Sequence, residues 1–142
     1  MDRHSKQVRS YNMSRIRSKD TKPEIIVRKF LHKNGFRFRI HAKTLPGKPD
    51  IVLKKYKTVI FVHGCFWHAH ENCKDFKLPK SNQEYWLQKI LKNLMKDKEF
   101  VENIKLIGWE VIIAWECEIL KKDNQVLDQI KQRLLSNISG NK

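Results

Sequence analysis

The apolar positions of the chain fall into short blocks of two different periods. Val27, Phe30 and Leu31 recur at i, i+3 and i+4, the spacing of one buried helix face. Thr21 can cap the first turn of that helix, and Glu24, three residues on, completes a capping box. Pro23 is tolerated in that turn, and Asn34-Gly35 closes the helix. Residues 36–40 alternate apolar with basic side chains, which predicts a strand with one buried face. Two apolar runs, 51–53 and 58–62, flank Lys54-Lys55-Tyr56-Lys57 and predict a hairpin. A loop dense in His, Cys and aromatic residues runs from His63 to Lys80. Ser81-Asn82-Gln83-Glu84 reads as a second capping box that opens a long helix. Trp86, Leu87, Ile90, Leu91 and Leu94 are its apolar stripe, and Gly108 is its end. Residues 109–115 are apolar and rich in β-branched types, hence a strand. A strand, a long helix and a strand make a crossover unit, so 58–62 and 109–115 are expected to be parallel neighbours. A last helix, roughly 124–138, is expected to bury Leu127, Ile130, Leu134 and Ile138.

These elements describe one α/β domain over residues 21–142, preceded by a polar, basic arm over residues 1–20 that orders only when docked. Charge adds a partner to this picture. Lys and Arg number 30 against 15 Asp and Glu, a net charge of +15 on 142 residues, while 40% hydrophobic content keeps the chain globular rather than disordered. Such an excess suits a polyanion, above all nucleic acid. The N-terminus carries no hydrophobic signal segment, and no run approaches the ~20 apolar residues of a membrane span. Neither secretion nor membrane insertion is expected. Three cysteines cannot all pair within one molecule, which fits a reduced compartment and leaves free thiols or metal ligands.

Spacing narrows that choice. Cys65-x4-His70-x2-Cys73 places three soft or borderline ligands in one loop, and Cys117 follows the last strand as Cys65 follows the strand at 58–62. If those strands are parallel neighbours, the thiols emerge at one sheet edge and form a closed Cys3His site of the type zinc prefers for structural roles. The alternative is three free cysteines and a loop histidine. Asp50, at the start of a strand, can hold a divalent cation near a phosphate or simply cap that strand. An ordinary imidazole titrates near neutrality, so His63 and His68 suit proton transfer and phosphate contact. Phe66, Trp67 and Trp86 either pack beneath the loop or form a wedge between base pairs.

Taken together, Asn12-Met13, Leu45-Pro46-Gly47-Lys48-Pro49-Asp50, VIFVHGCFWH at 59–68, Tyr85-Trp86-Leu87 with Ile90 and Asn93, and GWEVIIAWEC at 108–117 resemble the very short patch repair (Vsr) endonucleases. The resemblance spans nearly the whole chain in order. It implies a restriction-endonuclease-like fold, a central mixed β-sheet flanked by helices with a structural zinc site. It further implies Mg²⁺-dependent nicking of double-stranded DNA on the 5′ side of the thymine in a T:G mismatch. By resemblance, Asp50 and the Val62 carbonyl hold Mg²⁺, His68 is the general base oriented by Asp97, His63 contacts the scissile phosphate, and Glu24 lies at the rim. Cys65, His70, Cys73 and Cys117 match the zinc ligands, and Phe66, Trp67 and Trp86 the intercalating aromatics. Met13 and Ile16 match the part of the arm that approaches from the minor groove, and Lys89 and Asn93 match residues that read the mismatched pair. The chain departs from the family in three places. Val62 stands where a threonine is common, Glu71-Asn72 lengthen the His70–Cys73 loop by one residue, and Phe61 and His63 occupy the Glu-x-Lys positions of the wider nuclease superfamily. The last departure is shared with the repair family. The resemblance also implies a monomer acting on the nucleoid in a bacterial cytoplasm, with mismatch-repair proteins as possible partners. Two rivals remain at this point: a restriction-type nuclease on the same scaffold, and a non-catalytic zinc-stabilised DNA-binding module.

Overall fold

The computed structural model describes residues 20–71, 73–74, 77–121 and 125–140, the last three of these by their backbone alone. The arm, with Met13 and Ile16, and the side chain of Ile138 lie outside the described residues. Helix α1 (Lys22–Lys33) starts at Thr21, whose Oγ1 accepts the Glu24 N–H at 3.5 Å. The reciprocal half of the capping box does not form, because the Glu24 carboxylate accepts instead from the Asp20 N–H at 2.8 Å. The strand expected over 36–40 shrinks to β1 (Arg39–Ile40), with both side chains exposed. Phe36 enters the core before any pairing begins and meets the Tyr56 ring edge-on at 5.4 Å. Alternation there marks a buried anchor rather than a paired strand.

The hairpin forms as its pattern predicts. Strands β2 (Ile51–Leu53) and β3 (Thr58–His63) pair antiparallel with Ile51 opposite Ile60, joined by a 3-10 turn over Lys54–Tyr56. Helix α2 (Gln83–Leu106) then crosses over to β4 (Glu110–Trp115), which runs parallel to β3 from Thr58 opposite Glu110 to His63 opposite Trp115. The sheet is mixed, in the order β1-β2-β3-β4. A short helix α3 (Glu116–Ile119) and a longer α4 (Gln125–Gly140) follow.

Period-2 alternation distributes the strands' side chains to two cores. Ile51, Leu53, Ile60, Ile112 and Ala114 pack with Val27 and Leu31 of α1 and with Leu127, Ile130 and Leu134 of α4. Val52, Val59, Phe61 and Val111 face Ile104 of α2. Each buried side chain of this size contributes about 1.5–3 kcal/mol, so β3, covered on both faces, anchors the domain.

Two expectations for α2 fail. Its N-cap is Asn82 in the left-handed region with no side-chain bond, so the Ser81 box does not form. Of the expected stripe only Ile90 is buried; Leu87, Leu91 and Leu94 are 45%, 49% and 37% exposed. Length explains this. A helix of 24 residues runs about 36 Å at 1.5 Å per residue, whereas six-residue strands extend only ~20 Å. The first half of α2 therefore overhangs the sheet. Among the described residues no helix is long and apolar enough to cross a membrane.

Gly47 seats the loop that leads to the site. At φ +74° it lies against α2, where an added Cβ would stand 2.6 Å from Phe100 Cγ. Only glycine fits both that backbone and that contact, and the loop it makes delivers Asp50 to the start of β2.

Candidate active site and metal centre

The ligand-bearing end of a parallel strand pair is its carboxyl end, and there β3 and β4 finish at His63 and Trp115. Asp50 reaches this end from the other side of β3. With Ile51 opposite Ile60, the residue facing Val62 would be Pro49, and no ladder partner is made there. The Val62 N–H donates instead to Asp50 Oδ2 at 2.6 Å. In an extended strand the N–H and C=O of one residue face the same edge, so the Val62 carbonyl also faces the Asp50 side. Burial pushes the Asp50 carboxyl up to about 6, the Val62 N–H opposes the shift, and the Glu24 charge adds to it. Glu24 is buried at 3% exposure. Its Oε2 accepts from Arg28 Nη2 at 3.0 Å and from the Asp20 N–H at 2.8 Å. Two carboxylates and a carbonyl are the hard oxygen set that suits Mg²⁺.

The imidazoles lie on the α2 face of the sheet. His63 is 5% exposed and stacks on His68, with centroids 3.7 Å apart and planes 6° from parallel. His68 Nδ1 is 2.5 Å from Asp97 Oδ2, which ties the loop to α2. An ionised carboxylate only accepts, so Nδ1 donates, and the neutral form of the ring carries its lone pair on Nε2. Burial, with the His68 charge adding to it, pulls His63 down to about 4 and keeps it neutral around neutrality. Its Nδ1 is buried and has no hydrogen-bond partner among the described residues. A cleft of about 490 Å³ opens beside these rings, with Leu94, Asp97, Ile113 and Trp115 among its walls.

The second constellation closes as spacing anticipates. The ligand atoms of Cys65, His70, Cys73 and Cys117 all lie within 4.8 Å of one another, with Cys117 Sγ 3.4 Å from His70 Nδ1, and no disulfide engages the cysteines. Donors ~2.0–2.3 Å from a central zinc stand ~3.5–3.8 Å apart, so the set fits a tetrahedral ion after a small contraction. Burial pushes the Cys65 thiol up to about 12 and also raises Cys117. A metal must therefore displace protons from this site.

Phe66, Trp67 and Trp86 form a triangle with centroids 5.1–5.8 Å apart. None belongs to either core, and Trp67 is 40% exposed. Lys89 Nζ lies 5.4 Å from the Trp67 ring and 6.0 Å from Trp86, and Asn93 Nδ2 donates to the Trp67 carbonyl at 3.1 Å. The three rings pack on one another outside both cores.

Sequence reasoning missed two residues. Trp115 stacks on His70 at 4.1 Å and meets His63 edge-on at 5.3 Å, bridging the two constellations. Its place two residues before Cys117 was the available signal. Arg28 holds Glu24 from the next helical turn, and their i, i+4 spacing was legible.

Comparison with known proteins gives a family for the chain. A family model described as DNA mismatch endonuclease Vsr matches residues 1–75. The type II nicking enzyme V.NmeAIP of Neisseria meningitidis serogroup A is 53% identical over 114 residues, 80% of this chain and 81% of the relative. The type II nicking enzyme V.XorIIP of Xanthomonas oryzae pv. oryzae is 48% identical over 83% of this chain and 86% of its own. The DNA mismatch endonuclease Vsr of Escherichia coli is 40% identical over 139 residues, 98% of this chain and 88% of the relative.

Proposed function

The chain belongs to the Vsr family of DNA mismatch endonucleases and is a DNA mismatch nicking endonuclease; on that premise we propose that it cuts 5′ to the thymine of a T:G mismatch, by cation-assisted hydrolysis on a restriction-endonuclease-like core. The observation that carries the residue roles is the His68–Asp97 pair, which holds the ring through Nδ1 and leaves Nε2 as the nitrogen that can take a proton, at the same sheet end as Asp50 and Val62.

Asp50, the Val62 carbonyl and, at the rim, Glu24 would hold Mg²⁺. When bound, the ion neutralises charge on the scissile phosphate. His68 Nε2 takes the proton from the attacking water, and Asp97 stabilises the imidazolium that forms. His63, neutral because it is buried, donates a ring N–H to a phosphate oxygen. Cys65, His70, Cys73 and Cys117 would hold zinc and so tie the loop carrying His68 to the end of β4. Phe66, Trp67 and Trp86 supply the wedge, Met13 and Ile16 approach from the minor groove, and Lys89 and Asn93 read the opened pair once Asn93 leaves the Trp67 carbonyl. In this reading the enzyme is a monomer that works on duplex DNA in a bacterial cytoplasm.

His68→Ala is expected to lower the single-turnover nicking rate by ~10²–10⁴-fold, the range of a general base. Affinity for the same duplex should hardly move, because phosphate contacts dominate it. Asp97→Asn should lose part of that rate. A His68→Ala enzyme within about tenfold of wild type would remove the imidazole from the proton-transfer step.

A further inference from the structure

Arg28 spreads its guanidinium as a fork between two acids. Nη1 lies 2.8 Å from Asp20 Oδ1 and Nη2 3.0 Å from Glu24 Oε2. Asp20 is gripped again by His41, whose Nε2 stands 3.0 Å from the same Oδ1. Asp20 in turn donates its own N–H to Glu24 Oε2. Ion pairs at i, i+4 on an open helix surface do little. This one differs in two respects. The Arg28 and Glu24 side chains are only 15% and 4% exposed, and a third partner anchored by its backbone closes the triangle.

Both donors fall on one oxygen of Glu24. One arm of the guanidinium, Nη2, and the Asp20 N–H both hold Glu24 through Oε2, and Oε1 takes neither bond. Glu24 and Asp50 are like charges close enough to repel, and a fixed guanidinium offsets the cost of keeping both ionised in a site shielded from water.

We propose that Arg28 is a positioning residue of the cation site: it pins Glu24 through Oε2 and clamps Asp20, so that Glu24 Oε1 joins Asp50 and the Val62 carbonyl as a ligand for the divalent cation, directly or through a bound water. The proposal rests on the reading of Asp50 as a cation ligand.

Mn²⁺ binding to the full-length, zinc-loaded chain, followed by loss of the free-ion paramagnetic resonance signal, tests it together with thermal melting and the Mg²⁺ dependence of nicking. Arg28→Gln is expected to raise the half-saturating concentration of both ions by ~10–100-fold, the usual effect of removing a group that orients a metal ligand. The nicking rate at saturating Mg²⁺ should fall far less. Arg28→Lys keeps the charge but not the fork, so it should recover only part of the affinity. Asp20→Asn should shift the half-saturation in the same direction by a smaller factor. Wild-type Mn²⁺ binding in Arg28→Gln, with only the melting temperature lowered, would make Arg28 a structural strut and overturn the proposal. If Arg28→Gln does not fold, unchanged half-saturation in both Arg28→Lys and Asp20→Asn overturns it equally. Asp50→Ala separates the two layers: if it still binds Mn²⁺ like wild type, the cation-site reading itself fails and Arg28 has nothing to position.

Discussion

Asp50 is ionised against the preference of its surroundings. Burial raises its pKa from 3.8 to about 6, the Val62 N–H opposes that rise, and the Glu24 charge reinforces it. A carboxyl that holds its proton more tightly folded than unfolded adds stability below the unfolded pKa and loses it as pH rises through the folded one. Above pH 6 the folded chain therefore bears a penalty of ~1–3 kcal/mol, at about 1.4 kcal/mol per pH unit between the two values. Asp50→Asn keeps an acceptor for the Val62 N–H but carries no charge. It should melt above wild type at pH 8, lose that advantage as pH falls from about 6 toward 4, and nick at neither pH. Scanning calorimetry at several pH values checks this, and a variant that melts below wild type at pH 8 would contradict it. A protonated Asp50 cannot serve as an anionic ligand, so protons compete with the cation, and the wild-type rate should show an acid limb that moves to lower pH as Mg²⁺ is raised. His63 is not the source of that limb, because it stays neutral down to about 4.

The overhanging half of α2 and the loop after β3 together carry Phe66, Trp67 and Trp86, the three rings of the proposed wedge. Were Trp67 part of a core, Trp67→Ala would cost ~3–5 kcal/mol of stability. Exposed beside Phe66 and Trp86, it should instead leave melting of the free protein nearly unchanged. Its loss should weaken binding to a T:G duplex and shrink the preference for T:G over T:A, because stacking no longer offsets the unstacked step. A strongly destabilised variant with unchanged preference would return Trp67 to a packing role. Legibility varies by element in the same way. The β2–β3 hairpin and the parallel β3–β4 pair were readable because two apolar runs joined by a short polar turn fold back on each other, and a strand–helix–strand crossover makes parallel neighbours. The Cys3His cluster followed from that pairing, since it brings Cys65 and Cys117 to one edge. The α2 stripe misled because periodicity reports which face is apolar, not how far the opposing sheet extends. The Ser81 box failed because Asn82 takes a left-handed turn that no local pattern distinguishes. Glu24 was named for the site, but its grip on the Asp20 N–H and on Arg28 depends on where Asp20 folds back, which is tertiary information.

At the scale of the whole molecule, two features act on every substrate alike. The +15 charge supplies affinity without sequence, so binding to matched duplex should fall steeply with salt, and Trp67→Ala should not alter that slope. Zinc would act through stability. Cys65 and Cys117 hold their protons tightly in the metal-free chain, so loading should release protons and weaken at acid pH. Cys117→Ser should lower zinc content below one per chain and destabilise the entire domain, because binding energy in such sites is folding energy. A metal-free preparation that is fully folded and active would contradict the assignment. In the proposed reading, by contrast, chemistry and mismatch sensing belong to separate parts of one sheet end, and their combination produces mismatch-directed hydrolysis. The most direct measurement is single-turnover nicking of strand-labelled duplexes that differ only in a T:G, T:A or C:G pair, each with Mg²⁺ and after its chelation. The expected result is one cut, 5′ to the thymine, in the T:G duplex with Mg²⁺ alone. Equal cutting of T:A and T:G, or cutting that persists without the divalent ion, would contradict the account.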